Sequence, residues 1–98
     1  MPGYQQISWA ATELKTDTET LLDFSRKGWI QTAEKNGMTF VAGDQRYRAR
    51  FILHLRHKKG LTDAQIELVL AEQRPPYSLA DVDRILQENK AAAAAQPR

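Results

Sequence analysis

Ninety-eight residues provide for one modest core, and 42% hydrophobic with 27% charged residues is the composition of a folded chain, not a disordered tail. With no cysteine, disulfides, thiolate metal sites, iron–sulfur clusters and a cysteine nucleophile are excluded. The net charge of +2 conceals an uneven distribution: residues 45–62 hold Arg46, Arg48, Arg50, Arg56, Lys58 and Lys59 without an acid, while the remainder is acidic.

The opening Met1-Pro2-Gly3-Tyr4 lacks the basic-then-apolar order of a secretory signal, and no apolar run approaches the roughly 18 residues of a membrane span. A cytoplasmic protein without a membrane partner is expected. Residues 8–14 read as a short helix with Ser8 at its N-cap, followed by a turn at Lys15-Thr16. A second helix opens at Asp17, or at Thr16 with Glu19 as a capping box, and Gly28 stops it after Lys27. Leu14, Leu21 and Phe24 are placed to pack the two against each other. Trp29-Ile30-Gln31-Thr32 and Met38-Thr39-Phe40-Val41 have strand composition and flank a turn containing Asn36-Gly37, so a small β-hairpin is expected.

Gly43-Asp44 breaks the strand and starts a third helix over 44–59, with Tyr47, Phe51 and Leu55 as an inner face. Arg46, Arg50, His54 and His57 share its opposite side, a candidate anion-binding stripe. Trp9, Trp29, Tyr47 and Phe51 are expected in the core. Thr62 caps a fourth helix, with Gln65 completing a capping box, Leu61 and Ile66 as a hydrophobic staple, and Ile66, Val69 and Leu70 as its buried stripe. Pro75-Pro76 forbids continuation and makes a rigid joint to a fifth helix carrying Leu79, Val82 and Leu86. That stripe could dimerise the chain or dock on its own core. The expected division is a domain over 4–73, a C-terminal helix over 78–90 and a frayed tail over 91–98.

Helix, tight turn, helix, glycine, hairpin, helix, helix is the order of a winged helix-turn-helix. In residues 7–70 the chain resembles the headpiece of the MerR regulators, through Ile7, Ala11 and Asp17, the Thr20-Leu21 pair, the Gly28-Trp29-Ile30 exit, Gly37, Phe51-Ile52, Gly60-Leu61, Ile66 and Leu70. The resemblance implies a mostly α fold with a small hairpin and a second helix that enters the major groove of double-stranded DNA. It further implies a transcriptional regulator or DNA-architectural module, here without an effector domain. The candidate DNA contacts are Thr18, Thr20, Arg26, Lys27, Lys35, Thr39, Arg46, Arg48 and Arg50. The chain departs from that family where an arginine and an aromatic pair follow Thr-Leu, having Leu22-Asp23-Phe24-Ser25. It departs again in the wing, where Gly37-Met38-Thr39-Phe40-Val41 replaces a basic, hydroxyl-rich run. Each lost phosphate contact removes about one unit of the salt slope of binding.

The Leu55-Arg56-His57 run and the helical C-terminus are also similar to the CbpM chaperone modulators, which resemble MerR headpieces but bind the J-domain of a co-chaperone. On that resemblance the partner is a protein, met by Asp17, Glu19 and Asp23. His54 and His57 are too few for a metal site, and no nucleophile, base and orienter can be assembled. No cofactor, no metal and no enzymatic activity are expected.

Overall fold

The computed structural model describes residues 3–75 and 77–95, with side chains described as far as Glu88. They form five helices and one small antiparallel sheet, divided into two compact units at Leu53–His54. The division falls inside the third helix.

The first unit begins with strand β1 (Tyr4–Gln6), helix α1 (Ile7–Glu13) and helix α2 (Thr18–Arg26). Ile7, Ala10 and Ala11 bury one side of α1, at the spacing a helix needs to present an apolar face. Gln6, not Ser8, precedes the first turn of α1, and it makes no side-chain cap. The α1–α2 turn closes without a glycine: Lys15 adopts φ 59°, and the amide of Thr16 donates to the carbonyl of Ala11 at 2.9 Å. Asp17 caps α2 by accepting from the amide of Thr20 at 2.8 Å, so Asp17 and not the Thr16–Glu19 box starts this helix. At the other end Gly28, at φ 76°, donates to Ser25, and Trp29 donates to Phe24. This is a Schellman motif with its customary apolar contact, the Phe24 and Trp29 rings lying 5.6 Å apart.

Trp29 and Ile30 therefore complete the helical core instead of beginning a strand. Strand β2 (Ala33–Lys35) and strand β3 (Met38–Ala42) are joined directly by Asn36-Gly37, both at positive φ, the two-residue turn that suits the natural twist of paired strands. The sequence expectation of strands over 29–32 and 38–41 is thus corrected at its first half. β1 was not expected at all. It pairs antiparallel with β3, Gln5 opposite Val41, giving the order β1-β3-β2.

Helix α3 (Gly43–His57) continues into the second unit. Its buried positions include Ala49, Phe51, Ile52, Leu53 and Leu55, whereas Tyr47 is 45% exposed. The core-facing side is centred on Ala49 and Ile52, which places Tyr47 nearly opposite, toward solvent, and overturns its expected core position.

The second unit also contains helix α4 (Asp63–Glu72) and helix α5 (Ala80–Ala95). The capping box at Thr62 is present: Thr62 Oγ1 accepts from the Gln65 amide at 3.2 Å, and Gln65 Oε1 accepts from the Thr62 amide at 2.9 Å. Ile66, Val69 and Leu70 are buried as the sequence indicates. α4 packs against α5, and Val82 and Ile85 are fully buried. The inward stripe is therefore Val82–Ile85, with Leu79 exposed and Leu86 half-buried, so α5 docks within its own unit. Of the two uses that this stripe allowed, docking on the chain itself is the one that Val82 and Ile85 serve.

α5 runs through the alanine stretch to Ala95, where fraying from residue 91 was expected. Alanine has the highest helix propensity, so nothing local stops the helix there. The Pro76 half of the expected joint, the last three residues of the tail and the Met1-Pro2 start lie outside the described residues. Among the described residues no helix is long and apolar enough to cross a membrane.

Candidate interaction site

The nine side chains that the sequence nominates for DNA all lie in the first unit, and several of them are engaged by their neighbours in the fold. Thr18 is half-buried at the start of α2. The Thr20 hydroxyl donates to Asp17 Oδ1 at 2.7 Å, so its proton is committed to the helix cap. Lys27 reaches Asp23 Oδ2 at 2.6 Å and lies over the Trp29 ring, and Arg26 approaches the same carboxylate at 3.7 Å. Lys35 is exposed at the end of β2, and Thr39 is half-buried in β3.

The α3 arginines divide sharply. Arg46 Nη1 donates to the carbonyls of Val41 at 2.7 Å and Gly3 at 3.2 Å, tying α3 to the sheet and to the start of β1. Arg48 Nε donates to the carbonyl of Trp29, holding the exit of α2. Both are half-buried. Arg50 is exposed and makes no ion pair or hydrogen bond among the described residues. The expected anion stripe is interrupted, since Arg46 and His54 are half-buried where a continuous solvent face was needed. Within the second unit, Arg56 pairs with Asp63 at 3.1 Å and Lys59 with Asp83 at 3.2 Å.

Residues 15–39, which hold α2 and the hairpin, carry four cations and four acids. That stretch has no net charge to draw a polyanion. The acids expected to meet a basic protein are also engaged: Asp17 caps α2 and Asp23 holds Lys27, leaving Glu19 exposed.

The Thr20 hydroxyl, with help from the Thr20 amide, holds the Asp17 carboxyl below its ordinary value of 3.8. The depressed pKa means that the ionised cap stabilises α2 above the unfolded-state pKa. That stabilisation is lost as pH falls through the lower folded value. Acid unfolding followed by circular dichroism should show this limb, and Asp17→Asn should flatten it. An unchanged acid limb in Asp17→Asn would show that the cap does not titrate with folding.

Glu13 and Leu14 from the end of α1, with Gly43, Arg46, Tyr47 and Arg50 from α3, line an open cleft of about 190 Å³. Trp9 lies one helical turn before Glu13 on α1 and is 66% exposed, against the expected core position. It stands outside the Ile7–Ala10–Ala11 stripe that the core takes. The sequence signal for this site was available in that phase: small alanines, not the tryptophan, hold the inward positions. A second open cleft of about 180 Å³ lies between Gln6, Ile7 and Ser8 and the β3 residues Met38 and Thr39. Its Met38 sulfur accepts from the Gln6 amide group at 3.7 Å.

Among the described residues no three His, Cys, Asp or Glu side chains come together to hold a metal. Comparison with protein-family models, curated proteins and solved structures finds no match to this chain.

Proposed function

We propose that the chain is a non-enzymatic module, MerR-like in the order of its elements, that recognises a protein partner through the face carrying Trp9, Tyr47 and Arg50. One observation carries this reading: Tyr47 and Arg50 stand exposed in the lining of one open cleft, and the exposed Trp9 lies one helical turn along α1 from Glu13 of that lining. Tryptophan, tyrosine and arginine are the residue types that dominate the energetics of protein interfaces. A tryptophan this accessible contributes little to its own core and much apolar area to a partner. The CbpM-type alternative of the sequence shares the general form of this reading, a scaffold used for protein contact. It is not supported in its acidic face.

The helix-turn-helix order and the exposed Arg26 and Lys35 favour a second reading, in which α2 and the hairpin bind duplex DNA. Fluorescence anisotropy of a labelled random-sequence duplex at about 50 mM salt separates the two. The expected result is no saturation below roughly 10⁻⁴ M, the weak end of nonspecific DNA binding. Binding tighter than that, lost on raising salt to about 200 mM and on replacing Arg26 and Lys35 by alanine, would establish DNA as the ligand.

A further inference from the structure

Resting on the protein-recognition reading, we infer that the partner presents a carboxylate-bearing peptide segment, whose acid binds Arg50 in the α1–α3 cleft while an apolar neighbour covers Trp9. The cleft holds an unusual pair. Glu13 and Arg50 both line it, yet they pair neither with each other nor with any other described residue. Opposite charges that share a cleft without closing on each other leave a donor fork and an acceptor open to a third group.

A peptide matches both. Its carboxylate takes the planar guanidinium of Arg50, a charge-assisted bond that can be bidentate. One of its backbone N–H groups donates to Glu13. Arg46 adds a second positive charge to the lining, although two of its hydrogen bonds are already spent on backbone carbonyls. Two cations against one acid favour an anionic side chain over a basic one. The acid at position 13 disfavours a nucleic-acid strand, which would bring further phosphates against it and offers few donors to satisfy it. Tyr47 lines the cleft beside the charged groups and Trp9 lies one turn along α1 from Glu13, so a peptide covering both would exclude water around the new ion pair, the arrangement in which a salt bridge at an interface gains most.

The test is selection of a displayed library of random short peptides on the full chain. A selected peptide is then titrated against wild type, Trp9→Ala, Arg50→Glu and, as a remote surface control, Arg26→Ala. Circular dichroism checks that each variant is folded. Selected peptides should be rich in Asp or Glu beside an apolar residue. Trp9→Ala and Arg50→Glu should each weaken binding roughly thirty-fold, with Arg26→Ala unchanged. Peptides without acids, or ones indifferent to Arg50→Glu but weakened by Trp9→Ala, overturn the carboxylate inference and leave the protein-recognition reading standing. A single-stranded oligonucleotide that displaces the peptide overturns the peptide as occupant. If no peptide is selected, or the selected ones ignore Trp9→Ala, the underlying reading fails with the inference.

Discussion

Phe24→Ala should cost the first unit most of its stability. The Phe24 ring is fully buried and packs against Trp29 across the Schellman motif that ends α2. Removing it opens a cavity beneath the α2 exit and withdraws the apolar contact that fixes where Gly28 turns the chain. Phenylalanine-to-alanine changes at such sites cost about 3–5 kcal/mol, against a total of about 5–15 kcal/mol for a whole domain. A small unit stands at the lower end of that range. Its thermal midpoint by circular dichroism should therefore fall by at least about 12 °C, or its cooperative transition should vanish. A variant melting within a few degrees of wild type would mean that the site collapses around the lost ring, and that the α2 exit is not held by it.

The second large effect separates two arginines that look alike in sequence. Arg46 and Arg50 lie one turn apart on α3, but among the described residues Arg46 donates to two backbone carbonyls and Arg50 to none. Hydrogen bonds from a charged donor contribute more than neutral ones, and loss of the pair at a half-buried position should cost about 2–3 kcal/mol. Arg46→Ala should lower the urea midpoint clearly, because the carbonyl of Val41 loses a donor and α3 loses its tie to the sheet. Arg50→Ala, in solvent, should leave the midpoint within error. Equal midpoints for the two variants would show that Arg46 is as free as the sequence makes it look, and would return it to the pool of cations available to a polyanion.

That contrast explains which parts of the molecule were legible beforehand. Elements whose specification is local are legible in the sequence: the Thr62–Gln65 box, the Gly28 stop and the Asn36-Gly37 turn each depend on residues within a few positions, and the start of α2 narrows to Asp17 or the Thr16–Glu19 pair. β1 was invisible because three residues gain strand geometry only by pairing with β3, more than thirty positions away. The first half of the hairpin was misplaced for a related reason. Trp29 and Ile30 have strand composition, but the helix exit buries them first.

The site suffered from a different ambiguity. Charge can be counted in a sequence, whereas its availability depends on tertiary partners. Arg46 and Arg48 spend theirs on carbonyls of the fold, and Lys27 on Asp23. The aromatic residues erred in the opposite direction, since size suggested burial for Trp9 and Tyr47 while the smaller Ala10, Ala11 and Ala49 took the inward positions.

Amide chemical-shift mapping of the isotope-labelled chain with a selected carboxylate-bearing peptide locates the recognition surface directly. Shifts concentrated at Trp9, Glu13, Leu14, Tyr47 and Arg50, with Thr18–Arg26 and the hairpin unmoved, are the expected result. Shifts running instead along α2 and across Lys35 and Thr39 would contradict the assignment of recognition to the α1–α3 cleft.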